Sequence, residues 1–140
     1  MNLVYAASAY PFGKLSDHMS HSRLLALGLV LLVGVDILLA AGNHWTWEWA
    51  GASLWGLHMG VTQGLLAAMV ADAAPEDLRG TAFGFFNLLS GIALLVASAL
   101  AGLLWDGFGA RYTFVAGAVF SVAALVLLAA CARAGVFASR

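Results

Sequence analysis

The sequence predicts an all-α polytopic membrane protein, with four complete transmembrane helices after a partial N-terminal helix. Three observations carry this prediction. Of 140 residues, 63% are hydrophobic and only 9% charged, and the mean hydropathy is +0.94. Soluble domains run about 45–50% apolar and about 25% charged. Four long runs are free or nearly free of Asp, Glu, Lys and Arg, and short polar linkers separate them. The runs are continuous rather than alternating, which selects helices over barrel strands.

The same composition excludes a soluble globular domain, a disordered segment and a nucleic-acid binder. Six Lys and Arg against seven Asp and Glu leave no basic footprint. Cys131 is the one cysteine, so an internal disulfide and a cysteine metal cage are both ruled out.

Residues 1–13 are apolar but reach only about 18–20 Å as a helix, too short to cross. No basic residue precedes them, and Ala7-Ser8-Ala9 runs into Tyr10 and Pro11, unlike a signal peptide. They are read as the last part of a helix whose beginning lies outside this sequence. A bilayer core about 30 Å thick needs roughly 20 helical residues. The stretches 24–42, 50–71, 81–105 and 112–132 meet that length and are read as the transmembrane helices. Asn43-His44, Ala74 to Asp77 and Asp106 to Gly109 are turn-like, with Pro75 suited to the first turn of a short helix.

Lys14, Arg23, Arg79, Arg133 and Arg140 fall on one side of this zigzag and only Arg111 on the other. The positive-inside bias therefore puts the linker 14–23 and the C-terminus in the cytoplasm, in a multi-pass protein of the inner cell membrane. Trp45, Trp47, Trp49 and Trp105 gather at the opposite boundary, where amphipathic rings sit at headgroup level.

The second span carries Gly56, Gly60 and Gly64 at four-residue spacing, extended by Ala68, a small-residue stripe for close helix packing. Beside it lie Trp55, His58, Met59, Thr62 and Gln63. Such a polar, aromatic and thioether mix at mid-span fits a cavity for an amphipathic molecule, or polar groups bonded to a neighbouring helix. The third span places Phe83, Asn87, Ser90, Gly91, Leu94 and Ser98 on one face; Asn87 either lines a wet cavity or joins two helices. Asp36 is the one acidic residue well inside a span, read as a proton-coupling site or as a carboxyl near the interface, neutral or water-paired. Ser121 is the interior polar residue of the fourth span, which reads as scaffold.

The linker Gly13-Lys14-Leu15-Ser16-Asp17-His18-Met19-Ser20-His21-Ser22-Arg23 resembles the Gly-x-Leu-small-Asp-Arg-x-Gly-basic-basic motif of the major facilitator superfamily. Gly13, Leu15, Ser16, Asp17 and Arg23 match, while His18 replaces the first Arg and Ser20 the Gly. Residues 71–84 resemble that family's Pro-x-x-x-Arg-Gly-x-Ala-x-Gly linker through Pro75, Arg79, Gly80, Ala82 and Gly84. Residues 101–109 are similar to the Gly-x-Leu-x-Asp-x-x-Gly ending of its penultimate helix.

This resemblance implies one part of a six-helix half, from the end of the eighth helix through the twelfth, in a transporter working by alternating access. It implies that helices two and three of the four face the cavity, with Trp55, His58, Met59, Thr62, Gln63 and Asn87 as lining candidates. It disfavours Asp36. It places Gly13, Asp17, Arg23 and Arg79 at a cytoplasmic gate. The expected function is movement of a small organic solute, as part of a longer transporter whose N-terminal half is missing here. The alternatives are a self-contained four-span exporter acting as a homo-oligomer, and a non-transporting membrane subunit. No nucleophile–base pair, metal spacing or cofactor motif argues for an enzyme. The expected partners are the lipid bilayer, the other transporter half or a second copy, and the solute.

Overall fold

The computed structural model describes residues 2–16, 19–42 and 44–134. It is all-helical: α1 (Asn2–Ser16), α2 (His21–Ala41), α3 (Trp45–Ala73), α4 (Arg79–Phe108) and α5 (Ala110–Arg133), with a 3-10 turn at Glu76–Leu78. Among the described residues there is no strand. Helices α2 to α5 are each long and apolar enough to cross a membrane. At 15 residues, α1 reaches about 22 Å. Pro11 sits inside α1, so the Ala7 carbonyl lacks the usual donor four residues on.

Helix ends differ from the expected ranges where the sequence offers no breaker. Helix α3 begins at Trp45, through the tryptophan cluster, rather than at residue 50. Helix α4 continues through Asp106, Gly107 and Phe108, which the sequence reading assigned to a turn. Gly109 alone makes that turn, at φ 90° and ψ 169°, a left-handed region that favours glycine. Its N–H bonds the Trp105 carbonyl at 2.9 Å. The hairpin so formed is held by aromatics: Trp105 meets Phe114 edge-on at 6.5 Å between centroids, and Phe108 meets Tyr112 at 6.0 Å.

Helix α2 is the centre of the fold, with α3 on one side and α5 on the other. Helix α1 packs on α3. Helix α4 touches α5 and α3 only lightly, and none of its residues is buried. A small core of Leu24, Val61 and Leu65, with Phe12 and Met19 against it, joins α1, α2 and α3 at one end. Elsewhere the helices meet through small residues, as expected where lipid offers no hydrophobic drive between helices. Gly28 of α2 receives the Thr62 methyl, Gly51 of α3 receives Leu39, and Gly60 of α3 receives Ser8.

The glycine stripe of α3 is therefore only partly a packing seam. Gly56 and Gly60 are buried, but Gly64 has nothing within 4 Å of where a Cβ would stand. Gly64, one turn past the α1 contact at Gly60, is exposed.

Candidate functional site

Two faces of α3 differ sharply in what they meet. One turns to α2. His58 Nδ1 lies 2.7 Å from the Gly28 carbonyl oxygen. A carbonyl only accepts, so Nδ1 carries the proton and a neutral ring presents an unprotonated Nε2. Thr62 donates its hydroxyl to the His58 carbonyl one turn back at 2.9 Å, and its methyl fills the space that Gly28 leaves. Thr62 is 7% exposed. It is part of the α2–α3 seam, with its hydroxyl satisfied within its own helix. His58 belongs to the same seam through its ring nitrogen and is half-buried.

The other face of α3 is open. Trp55 and Gln63 are exposed and Met59 is half-buried. On α4, Asn87 is exposed and Phe83 half-buried. Gln63 lies ten residues before Ala73, about 15 Å along α3. Asn87 lies eight residues after Arg79, about 12 Å along α4. Since the short linker at 74–78 joins those two ends, the two amides stand at similar depth. Among the described residues neither side chain has a hydrogen-bond partner. An amide at membrane depth without a partner costs a few kcal/mol, roughly 1–3. Water or another polar surface is the means of removing that cost.

At the Ala73–Arg79 end, Arg79 Nε donates to the Ala71 carbonyl at 3.2 Å. The guanidinium therefore caps the last turn of α3, where helix carbonyls lack partners. Arg23 is exposed in the first turn of α2, and Gly13 lies near the end of α1. Asp17 and His18 lie outside the described residues.

Sequence reasoning missed Gly28 as the partner of His58. The signal was present in the spacing. Gly28 lies thirteen residues before Ala41 and His58 thirteen after Trp45, and the loop between these helix ends is short. Residues equidistant from a tight helical turn come to the same level, here about 20 Å below it. Asp36 of α2 is a second polar residue whose partner lies across a helix seam. It is 7% exposed, faces α5, and takes a hydrogen bond from Ser121 at 3.4 Å.

Comparison with known proteins places this arrangement. The sequence profile of the Major Facilitator Superfamily matches residues 1–136. An uncharacterised MFS-type transporter of Methanocaldococcus jannaschii is 32% identical over 127 residues, 91% of this chain and 32% of that protein. The human lysosomal dipeptide transporter is 30% identical over 133 residues, 91% of this chain and 28% of its own length. The human vesicular acetylcholine transporter is 30% identical over 122 residues, 86% of this chain and 23% of its length. The chain spans about a third or less of these relatives. No solved structure matches it. The match along nearly the whole chain settles the family: the chain belongs to the Major Facilitator Superfamily.

Proposed function

We propose that α2 to α5 act as the ninth to twelfth helices of a two-half transporter, with α1 the end of the eighth, moving a small organic solute by alternating access. The relatives are named as transporters of dipeptides and of acetylcholine, both small organic solutes. In this reading Trp55, Met59, Gln63 and Asn87 line the solute path. The bare faces of α3 and α4 meet the other half, and α2 and α5 are outer support. Gly13, Asp17 and Arg23 belong to the cytoplasmic gate. Five of six Lys and Arg lie on one side of the zigzag, which supports a cytoplasmic C-terminus in a multi-pass protein of the inner membrane.

The observation that carries this reading is the pair of exposed, unpartnered amides at one depth, on two helices whose faces toward each other stay largely open. Two rigid halves rocking about a central site need polar groups facing that site. The test is transport by cells producing the full two-half transporter that contains these residues, using radiolabelled dipeptides and choline-type cations first. Gln63→Leu and Asn87→Leu abolish or strongly reduce movement of a solute the parent carries, at unchanged membrane level. Parent-like transport in both variants overturns the assignment.

A further inference from the structure

A groove of about 450 Å³ runs between α2 and α5 on the side away from α3. Its walls are apolar: Val33, Ile37 and Ala41 from α2, Ala118 and Val122 from α5. Its one charged wall residue is Arg111, at one end. Ile37 is 58% exposed, so the groove opens outward rather than into a packed interior.

Three features fix what fits there. On α5 the groove runs from Arg111 to Val122, eleven residues or about 16 Å. That is half of a bilayer core about 30 Å thick, the depth of a single leaflet. Arg111 is exposed, and among the described residues it has no ion-pair partner. The first turn of α5 holds no acidic residue; the acid nearest in sequence, Asp106, lies in the last turn of α4. An apolar channel one leaflet deep with an unneutralised cation at its mouth is complementary to an amphiphile with an anionic head.

The geometry points to a binding site for one anionic phospholipid, its acyl chain along the α2–α5 groove and its headgroup phosphate on Arg111. The site belongs to the leaflet at the Arg111 end of the helices. It rests on the reading above that α2 and α5 are the outer, lipid-facing helices, but not on which side that leaflet faces or on which solute is moved. Cationic side chains near a membrane surface hold anionic lipid by about fivefold each in affinity.

The test uses the full chain reconstituted in phosphatidylcholine vesicles with a small fraction of spin-labelled lipid. The motionally restricted spectral fraction reports lipid held on the protein. Spin-labelled phosphatidylglycerol is held about fivefold more strongly than spin-labelled phosphatidylcholine at one site per chain. Arg111→Gln abolishes that preference, while Arg111→Lys retains most of it. Ala118→Phe fills the groove and removes about one restricted lipid per chain of either headgroup, with circular dichroism showing unchanged helix content. An equal phosphatidylglycerol preference in Arg111→Gln and the parent overturns the proposal, as does an unchanged count of restricted lipid in a folded Ala118→Phe chain.

Discussion

Ser121 of α5 donates its hydroxyl to Oδ2 of Asp36 of α2, across 3.4 Å in a buried seam. Gly117, one turn before Ser121, is what admits the carboxyl. A Cβ there would stand 2.8 Å from Oδ1 and 3.0 Å from Oδ2. Thr113, Gly117 and Ser121 recur every four residues and so share a face of α5. The carboxyl thus sits in a notch built by a missing side chain and is tied there by one hydroxyl.

Gly117→Ala is therefore the more harmful change in this seam. The notch must open to admit a methyl against a carboxylate, at about 1–3 kcal/mol. Ser121→Ala removes one long hydrogen bond and costs about 0.6 kcal/mol, the average for interhelical hydrogen bonds in membranes. Thermal unfolding of the detergent-solubilised chain is expected to rank the parent above Ser121→Ala, and Ser121→Ala above Gly117→Ala. The reverse order of the two variants contradicts the notch.

The α2–α3 seam makes a compensating pair. Gly28→Ala drives a Cβ into the Thr62 methyl, while the His58 ring, with Nδ1 3.8 Å away, stays at ordinary contact distance. The variant should unfold at lower temperature than the parent. Thr62→Ser deletes the obstructing methyl and keeps the hydroxyl that bonds the His58 carbonyl. Added to Gly28→Ala, it should recover part of the loss, a coupling of about 0.5–3 kcal/mol between touching residues. Strict additivity of the two changes refutes the contact.

Two glycines of one stripe should behave differently. A Cβ on Gly60 runs into Ser8 of α1, while a Cβ on Gly64 meets nothing within 4 Å. Gly60→Ala is expected to loosen α1 from α3, read as faster proteolysis of α1. Gly64→Ala is expected to leave proteolysis unchanged and to raise helix stability slightly, since Gly costs about 0.8–1 kcal/mol relative to Ala inside a helix.

The single-residue joint at Gly109 gives a fourth test. Its φ of 90° strains any residue with a Cβ, at about 1–3 kcal/mol. Gly109→Ala should lower the unfolding temperature, whereas Gly107→Ala, in the last turn of α4 with nothing within 4 Å of its Cβ position, should not. Equal effects at both positions contradict a turn made by Gly109 alone.

The helices were legible in the sequence because charge-poor runs of spanning length leave the backbone one option in lipid. Their partners were less so. The stripe Gly56, Gly60, Gly64 announces close approach but not by what, and Gly64 turned out to face open space. Thr62 and Gln63 are neighbours in sequence and share a polar character, yet a 100° step puts one in the α2 seam and the other outside it. Polarity shows that a side chain needs a partner; only the rotation of its helix shows whether that partner is within the chain. Asp36 and Ser121 illustrate the converse. They are 85 residues apart, and nothing local in either span names the other.

The central claim is that the open face shared by α3 and α4 borders water and the back of α5 borders lipid. Single cysteines introduced in a Cys131→Ala background, then exposed in native membranes to a membrane-impermeant, hydrophilic maleimide from either side, measure this directly. The account predicts labelling at Gln63→Cys and Asn87→Cys and none at Val119→Cys. Reactivity at 63 and 87 as low as at 119 contradicts it.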